Sequence, residues 1–168
     1  IQSFGGFGGT EGYSVQLARH LSRSGDSVHV YCLDADEHAV LDASVRVTRL
    51  KGRGRGWSRI AAFHRACRRL RLDGYGVVQG FGRCAGHTVY RAGGGVHAAY
   101  LSAMAKGSLQ GGIRRWDPRE LWAVRVDDQC FRQARIAFCN SDMASGEAMA
   151  RHPNIEVRMI RNGVDSER

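Results

Sequence analysis

The sequence predicts an α/β fold in which a Rossmann-like, mostly parallel sheet has helices on both faces. Short β-branched and apolar runs alternate with stretches of helical spacing over most of the 168 residues, and glycine-rich turns separate several strands from the helices that follow. Right-handed strand–helix–strand crossovers turn such an alternation into a parallel sheet. With 43% hydrophobic residues the chain can bury one core.

The first part of the chain predicts two helices and two strands. Helical spacing begins near Thr10 and runs to about Ser22, with Gly25 just past the end. Either Thr10 or its neighbour is predicted to cap this first helix. The inner side of this helix is predicted to hold Val15, Leu17, Ala18 and Leu21. Strands are predicted at 28–33 and 45–50, followed by a basic amphipathic helix at 57–72. Because the strand expected before the first turn is cut short at Ile1, we interpret the N-terminus as truncated.

The second part continues the alternation. Strands are predicted at 76–80, 88–91, 135–139 and 157–160. Helices are predicted at the end of the 93–97 turn, near 121–131 and at 142–151.

Composition limits the function classes. No apolar stretch approaches the ~20 residues of a membrane span, and nothing in the sequence suggests export. Five cysteines without a C-x-x-C pair favour a reducing cytoplasm. The seven histidines show no metal-ligand spacing, so no metal site is predicted.

The net charge of +9 is concentrated in one segment. Residues 43–72 contain ten basic residues and no acidic one. Such a block attracts nucleic acid, an anionic membrane or a phosphorylated acceptor. It is equally compatible with a solvated loop and helix face, and charge alone does not decide between these interpretations.

The run from Gly5 to Glu11 is the first candidate binding site. Four glycines at a strand-to-helix turn leave accessible amides beside a partly positive helix N-terminus, which favours a phosphate or diphosphate. A turn that needs glycine only for its backbone conformation is the alternative. The dinucleotide pattern G-x-G-x-x-G fails because Glu11 stands where its last glycine is required, although Asp34 lies where a ribose-binding acid would follow.

The run from Arg91 to His97 is the second candidate. Three consecutive glycines let backbone approach a ligand closely, and His97 lies near the start of the next helix, where it can hydrogen-bond a sugar hydroxyl and tends to stay neutral. A purely structural histidine is the alternative. Ligands of parallel sheets bind beyond the carboxyl ends of the strands, so the first glycine turn, the 81–83 loop and the 93–97 turn are expected at one rim.

Together these residues resemble a known family. The resemblance to the N-terminal half of retaining GT-B glycosyltransferases of the GT4 type covers nearly the whole chain, and the 90–101 stretch looks most like the lipopolysaccharide core glucosyltransferase I group. The segments that carry it are Gly8–Glu11, Arg91–Leu101, Cys139–Ser141 and Arg161–Asp165. The resemblance implies that residues 1–161 form the N-terminal, acceptor-side lobe, with its first strand truncated, and that 162–168 begin the interdomain linker. The C-terminal lobe is absent.

The resemblance also implies an activity. It indicates retaining transfer of a hexose, glucose from UDP-glucose, to a heptose of the lipopolysaccharide core or a similar glycolipid, without a tightly bound cofactor. His97 is the implied catalytic residue at the transferred sugar; Gly8, Gly9, Thr10, Glu11, Gly94 and Gly95 are implied to contact the donor. The missing lobe supplies most nucleotide contacts and an acidic E-x7-E element, so the fragment alone is expected to bind donor weakly and to be inactive. Asp127 and the 106–112 segment depart from the family pattern and leave the acceptor open.

Other features complete the prediction. Retaining transfer without a metal needs amides and cations around the leaving diphosphate, and the leaving phosphate can take the acceptor proton, so Glu11 and Asp34 are not required as bases.

Aromatic and basic residues after His97, including Trp116 and Trp122, suit an anionic bilayer, with packing between helices as the alternative. A cytoplasmic protein, peripheral on the inner face of the cell membrane, is therefore expected.

Two rival classes remain at this stage. A nucleic-acid-binding module would use residues 43–72, but no aromatic-interleaved strand or recognition helix accompanies them, and no nucleic-acid partner is expected. A nicotinamide-dependent oxidoreductase is disfavoured by Glu11.

Overall fold

The computed structural model describes residues 1–5, 8–36, 45–107 and 109–161. The described helices are α1 (Gly9–Arg23), α2 (Gly56–Cys67), α3 (His97–Gly107), α4 (Leu109–Arg114), α5 (Pro118–Gln133) and α6 (Asp142–Arg151). The described strands are β1 (Ser3–Phe4), β2 (Val28–Cys32), β3 (Asp34–Ala35), β4 (Val45–Arg49), β5 (Gln79–Phe81), β6 (Val89–Ala92), β7 (Ile136–Cys139) and β8 (Glu156–Met159). The linker predicted at 162–168 lies outside the described residues.

The chain forms two compact units, Ile1–Arg71 and Leu72–Arg168. In the first unit β2 pairs with β4, and β1 pairs with the short strand β3. Both pairings are parallel. The α1 helix packs its inner face on these strands, with Phe4, Val15, Ala18, Cys32 and Val45 buried in the shared core.

The start of α1 differs from the prediction. The N-cap position belongs to Gly8, whose φ of 106° lies in the region that favours glycine, and no side chain caps the helix. Thr10 therefore lies inside the first turn, and the prediction that it or its neighbour caps the helix was wrong. Val15 and Ala18 are buried as predicted, whereas Leu17 and Leu21 are only half-buried.

The α2 helix is shorter than predicted. It ends at Cys67, and the chain leaves it through tighter bonds from Arg69 N to Ala66 O and from Leu70 N to Cys67 O. Phe63 and Cys67 are buried, but Trp57 in the first turn is 41% exposed. The apolar spacing therefore identified the helix and misplaced its ends, because half-buried leucines beyond Cys67 continued the pattern.

The second unit contains one four-stranded sheet in the order β5-β6-β7-β8, and every pairing in it is parallel. The α5 and α6 helices bury Val126, Cys130, Phe131, Ala144 and Ala148 in the core that includes β6 and β7. The first strand was predicted too early, at 76–80, because its apolar residue Val77 is 69% exposed and pairing begins only at Gln79. The predicted mostly parallel α/β class is confirmed.

Three further observations concern the described residues. None of their helices is long and apolar enough to cross a membrane. All five cysteines are buried, and none of them forms a disulfide. No group of three or more His, Cys, Asp or Glu side chains among these residues is arranged to hold a metal ion.

Candidate functional site

The first glycine turn leads from the carboxyl end of β1 into α1. The carbonyl of Gly8 accepts a hydrogen bond from Gly12 N at 2.9 Å, so helical bonding begins at the turn itself. A Cβ atom added to Gly9 would meet nothing within 4 Å. The first amides of an α-helix have no acceptor within the helix, and no side chain caps them here. The local geometry of Gly8, Gly9 and Thr10 therefore suits an anion.

The carboxylate of Glu11 folds back against this turn. A Cβ added to Gly8 would lie 2.5 Å from Glu11 Oε2, so the glycine leaves the space that the carboxylate occupies. A phosphate at the first amides of α1 would meet this negative charge, and Glu11 would have to turn away or accept a hydrogen bond from a ligand hydroxyl. Its predicted role at the donor stays a prediction.

Asp34, the candidate ribose-binding acid, already has a partner. The guanidinium of Arg59 in α2 forms an ion pair with the Asp34 carboxylate and donates to Ser3 Oγ at 3.1 Å. Asp34 nevertheless keeps a side-chain exposure of 65%. This ion pair connects β1, β3 and α2 within the first unit, which is a structural duty for Asp34.

The second glycine turn follows β6 in the other unit. Gly95, with φ of 71°, closes the turn by donating from its amide to Ala92 O at 3.1 Å. Nothing lies within 4 Å of a Cβ placed on Gly94. Asn140, which follows β7, donates from its side-chain amide to Gly93 O at 2.9 Å. The turn is therefore held from a neighbouring strand while the backbone at Gly94 stays open.

Loops at the carboxyl ends of neighbouring parallel strands lie at one edge of a sheet. In the second unit this edge receives the 81–83 loop after β5, the 93–97 turn after β6 and Asn140 after β7. Ser141 completes the edge by capping α6 through a hydrogen bond from Ala144 N to Ser141 Oγ at 3.2 Å. The first glycine turn belongs to the other unit, and its convergence with these loops stays a prediction.

His97 is the first residue of α3 and is held through both its backbone and its ring. Its backbone N–H donates to Asp127 Oδ2 at 3.0 Å. Its ring Nε2 lies 2.8 Å from Glu120 Oε2. The ring is stacked on Tyr100, with centroids 5.9 Å apart and planes inclined by 24°. His97 therefore has a fixed orientation.

Glu120 connects His97 to a third charged residue. Arg114 Nε donates to Glu120 Oε1 at 2.7 Å, so each carboxylate oxygen has its own donor. The side chains of His97 and Glu120 are each 14% exposed, and that of Arg114 is 51% exposed. Burial raises the pKa of Glu120, but the hydrogen bonds from Arg114 and His97 outweigh it, so its pKa lies below the usual value.

Asp127 fixes the start of α3 by accepting the hydrogen bond from the His97 amide. It is 4% exposed, and its Oδ1 accepts a hydrogen bond from the buried Tyr90 hydroxyl at 3.0 Å. Burial first, and then the nearby Asp127 carboxylate, raise the pKa of Tyr90 well above its usual value, so the phenol stays a donor. Asp127 thereby joins β6, α3 and α5 at the point where His97 begins its helix.

Sequence reasoning missed three residues of this arrangement: Arg114, Glu120 and Tyr90. Asp127 was noticed only as a departure from a family pattern. One signal was available, because Asp117 and Glu120 have the spacing of a capping box at the start of α5. In the structure Asp117 does cap α5, accepting from Arg119 N at 2.8 Å, whereas Glu120 turns to His97 and Arg114.

The sequence model of Glycosyltransferase Family 4 matches residues 7–168. The chain belongs to this family. The solved structure of WaaG, described as a glycosyltransferase involved in lipopolysaccharide biosynthesis, superposes with a TM-score of 0.81 at 15% sequence identity and covers 99% of this chain. This chain spans 45% of the length of that structure. No curated protein sequence matches the chain.

These comparisons confirm the resemblance to the N-terminal lobe of a GT-B glycosyltransferase of the GT4 type. The structural match covers nearly all of this chain, as expected for one lobe of a larger two-lobed fold. Membership of this family favours the glycosyltransferase interpretation of the sequence over a nucleic-acid-binding module or an oxidoreductase.

Proposed function

We propose that this chain is the acceptor-side lobe of a retaining hexosyltransferase that moves glucose from UDP-glucose to a heptose of the lipopolysaccharide core or a similar glycolipid. The observation that carries the proposal is the placement of His97. It begins α3 directly after an open triple-glycine turn, and two carboxylates, Asp127 and Glu120, hold its backbone and ring. Such preorganisation is what a group contacting a transferred sugar requires.

The proposed donor is a substrate, and no tightly bound cofactor is proposed. Amides of Gly8, Gly9 and Thr10 stabilise the diphosphate, because the first turn of α1 offers donors without helical acceptors. Backbone at Gly94 and Gly95 approaches the sugar, since the turn is open at Gly94. Glu11 accepts a hydrogen bond from a hydroxyl of the nucleotide sugar, because its carboxylate would repel a phosphate.

The proposed reaction is a same-face substitution at the anomeric carbon. The bond from that carbon to the diphosphate oxygen breaks as the bond to the acceptor oxygen forms, and the acceptor proton passes to the leaving phosphate. Retention then needs no covalent enzyme intermediate. The lobe contributes by orienting the sugar through His97 and by stabilising negative charge on the diphosphate with amides.

A lipid-linked acceptor requires the enzyme to work at a membrane, and we place the contact on α3, α4 and the start of α5. Five large apolar side chains in this region are exposed: Tyr100, Leu109, Ile113, Trp116 and Leu121. Three cations, Lys106, Arg114 and Arg115, lie among them, and the Arg115 guanidinium lies 5.9 Å from the centre of the Trp116 ring. Apolar side chains edged by cations suit an anionic bilayer surface. We therefore propose a peripheral protein on the cytoplasmic face of the membrane.

The test uses the full-length protein that contains this chain. We expect His97→Ala to reduce glucose transfer from UDP-glucose to a heptose-containing acceptor by about 100-fold, because one preorganised contact to the transition state is lost. UDP release gives the rate, and NMR of the product gives the anomeric configuration. Urea unfolding should show that the variant remains folded.

The matched control is His20→Ala, which removes an exposed histidine at the end of α1 away from the first glycine turn. It should transfer glucose at the wild-type rate. Wild-type turnover in His97→Ala, or an inverted product, would contradict the proposed function.

A further inference from the structure

The contact between His97 and Glu120 determines what the imidazole can offer a ligand. Nε2 lies 2.8 Å from Glu120 Oε2. An ionised carboxylate only accepts hydrogen bonds, so the hydrogen in this contact must come from Nε2. In a neutral imidazole the other ring nitrogen, Nδ1, then carries a lone pair and no hydrogen.

We propose that Glu120 is a positioning residue that keeps the hydrogen of His97 on Nε2, so that Nδ1 meets the donor sugar as a hydrogen-bond acceptor. The ligand group selected at this point is therefore a hydroxyl that donates. The inference rests on the proposed function for the identity of the ligand, and the state of the ring can be measured without it.

Arg114 makes this arrangement stable. Arg114 Nε donates to Glu120 Oε1, and His97 Nε2 contacts Glu120 Oε2. The two donors therefore do not compete for the same carboxylate oxygen. The guanidinium also keeps Glu120 ionised, because it holds a permanent positive charge against a side chain that is only 14% exposed. A protonated Glu120 would be able to donate to Nε2 and would reverse the tautomer.

The rest of the surroundings prevents the ring from turning over. The backbone N–H of His97 is bound to Asp127, and one face of the ring is stacked on Tyr100. Rotating the ring by half a turn would replace Nε2 with carbon at the Glu120 contact and leave a half-buried carboxylate without that donor. The structure therefore favours one ring orientation and one tautomer.

The direct test is ¹⁵N NMR of histidine-labelled full-length protein at pH 8, with His97→Ala used to assign the His97 signals. We expect hydrogen on Nε2 and none on Nδ1. A ring protonated on Nδ1, or on both nitrogens, overturns the proposal. Because this spectrum needs no substrate, it stays decisive even where transfer activity is absent, and the activity of His97→Ala bears on the proposed function alone.

The second test is Glu120→Gln, compared with Glu156→Gln. The amide is able to donate to the imidazole, so it releases the hydrogen from Nε2, and the spectrum of His97 should change to a mixture of tautomers. Glu156 lies on the exposed strand β8 and pairs with Arg158, so its variant should leave the His97 signals unchanged. An unchanged His97 spectrum in Glu120→Gln overturns the proposal.

The kinetic consequence separates positioning from simple structural support. Glu120→Gln should lower kcat roughly 10- to 100-fold, taking as a guide the loss found when a carboxylate that orients a metal-ligating histidine is removed. A UDP-glucose analogue with fluorine in place of the contacted hydroxyl should lose rate with the wild type, and it should lose much less with Glu120→Gln. Equal losses for both enzymes at every hydroxyl position contradict an acceptor role for Nδ1.

Discussion

At the residue scale, Asp127 carries a buried carboxylate in the second unit that needs hydrogen-bond donors. Its side chain is almost wholly buried, and the two described donors are the Tyr90 hydroxyl and the His97 amide. A buried carboxylate is stable only when hydrogen bonds replace its lost water. The same two bonds attach the first residue of α3 to β6, so satisfying this charge also places the candidate catalytic residue.

We expect Tyr90→Phe to lower the free energy of unfolding by about 1–3 kcal/mol, because it removes one donor from a buried charge while keeping the aromatic ring. The ring itself remains useful, since it packs edge-on against Phe131 with centroids 5.0 Å apart. Urea unfolding at pH 7 measures the change.

Tyr100→Phe is the matched control, since Tyr100 is 49% exposed and loss of its hydroxyl leaves no buried charge unsatisfied. It should change the stability by less than about 0.5 kcal/mol. Equal stability of the two variants would show that the Tyr90 hydroxyl contributes nothing to holding Asp127.

The sequence indicated His97 as a candidate site residue but could not indicate which residues contact it, for a physical reason. The three glycines before His97 are adjacent to it in sequence, and their conformational freedom is visible in the letters alone. The contacts to Glu120 and Asp127 join residues 23 and 30 positions apart, and they exist only because α5 packs beside the start of α3. Local propensity contains no information about that packing.

At the element scale, the corner between α3 and α4 explains a segment that departs from the family pattern. A Cβ atom added to Gly111 would lie 2.2 Å from Met104 O, so the two helices approach each other closely enough to require glycine there. This close corner places α4 with Leu109 91% exposed and Ile113 75% exposed. Gly111 therefore shapes the apolar surface proposed to meet the membrane.

We expect the double variant Ile113→Ser, Trp116→Ser to lose most of its binding to vesicles that contain anionic lipid. The two side chains are 75% and 72% exposed, and their transfer into the bilayer interface supplies much of the binding free energy. Cosedimentation of the full-length protein with anionic vesicles measures the loss, and neutral phosphatidylcholine vesicles should bind both proteins weakly.

The control for exposed apolar area in general is Met143→Ser. Met143 is 74% exposed on α6, outside the proposed surface, and its substitution should leave vesicle binding unchanged. If the double variant binds anionic vesicles as tightly as the wild type, the membrane surface has been placed on the wrong helices, and the basic residues of 43–72 become the next candidates.

Element positions could be predicted where strong end signals exist. The α6 helix matches its predicted range of 142–151, because Ser141 is a good N-cap residue. The predicted start of β5 was too early and the predicted end of α2 was too late. In both places neighbouring apolar residues continue the sequence pattern without being fully buried. Periodicity reports where apolar residues recur, whereas burial depends on what packs over them.

At the scale of the whole molecule, alternation along the chain was sufficient to predict a parallel α/β fold. The division into Ile1–Arg71 and Leu72–Arg168 was not predicted, since the sequence was interpreted as one lobe over 1–161. Each unit closes a hydrophobic core of its own. The basic segment 43–72 ends beside the boundary, but a change in charge does not by itself predict where one core closes and the next begins. Contact density is a property of the folded chain, so the sequence pattern does not contain it directly.

The two units share a response to acid. Burial lowers the pKa of His29 and His64 in the first unit and of His87 and His152 in the second. A histidine whose pKa is lower in the folded chain than in the unfolded chain contributes stability above the unfolded value of about 6.5. That contribution is lost as the pH falls through the folded value, because the unfolded chain takes up more protons.

We therefore expect the free energy of unfolding to decrease continuously from pH 7 to pH 5, measured by urea unfolding at constant ionic strength. His87 gives the sharpest comparison, since it is 3% exposed and its Nε2 lies 2.8 Å from Cys130 O. His87→Gln keeps a group able to donate to that carbonyl and removes one titrating ring, so its stability should fall less steeply over the same range even where it is lower throughout. A variant slope equal to that of the wild type would show that His87 does not contribute to the acid response, and a stability that rises toward pH 5 would contradict the whole explanation.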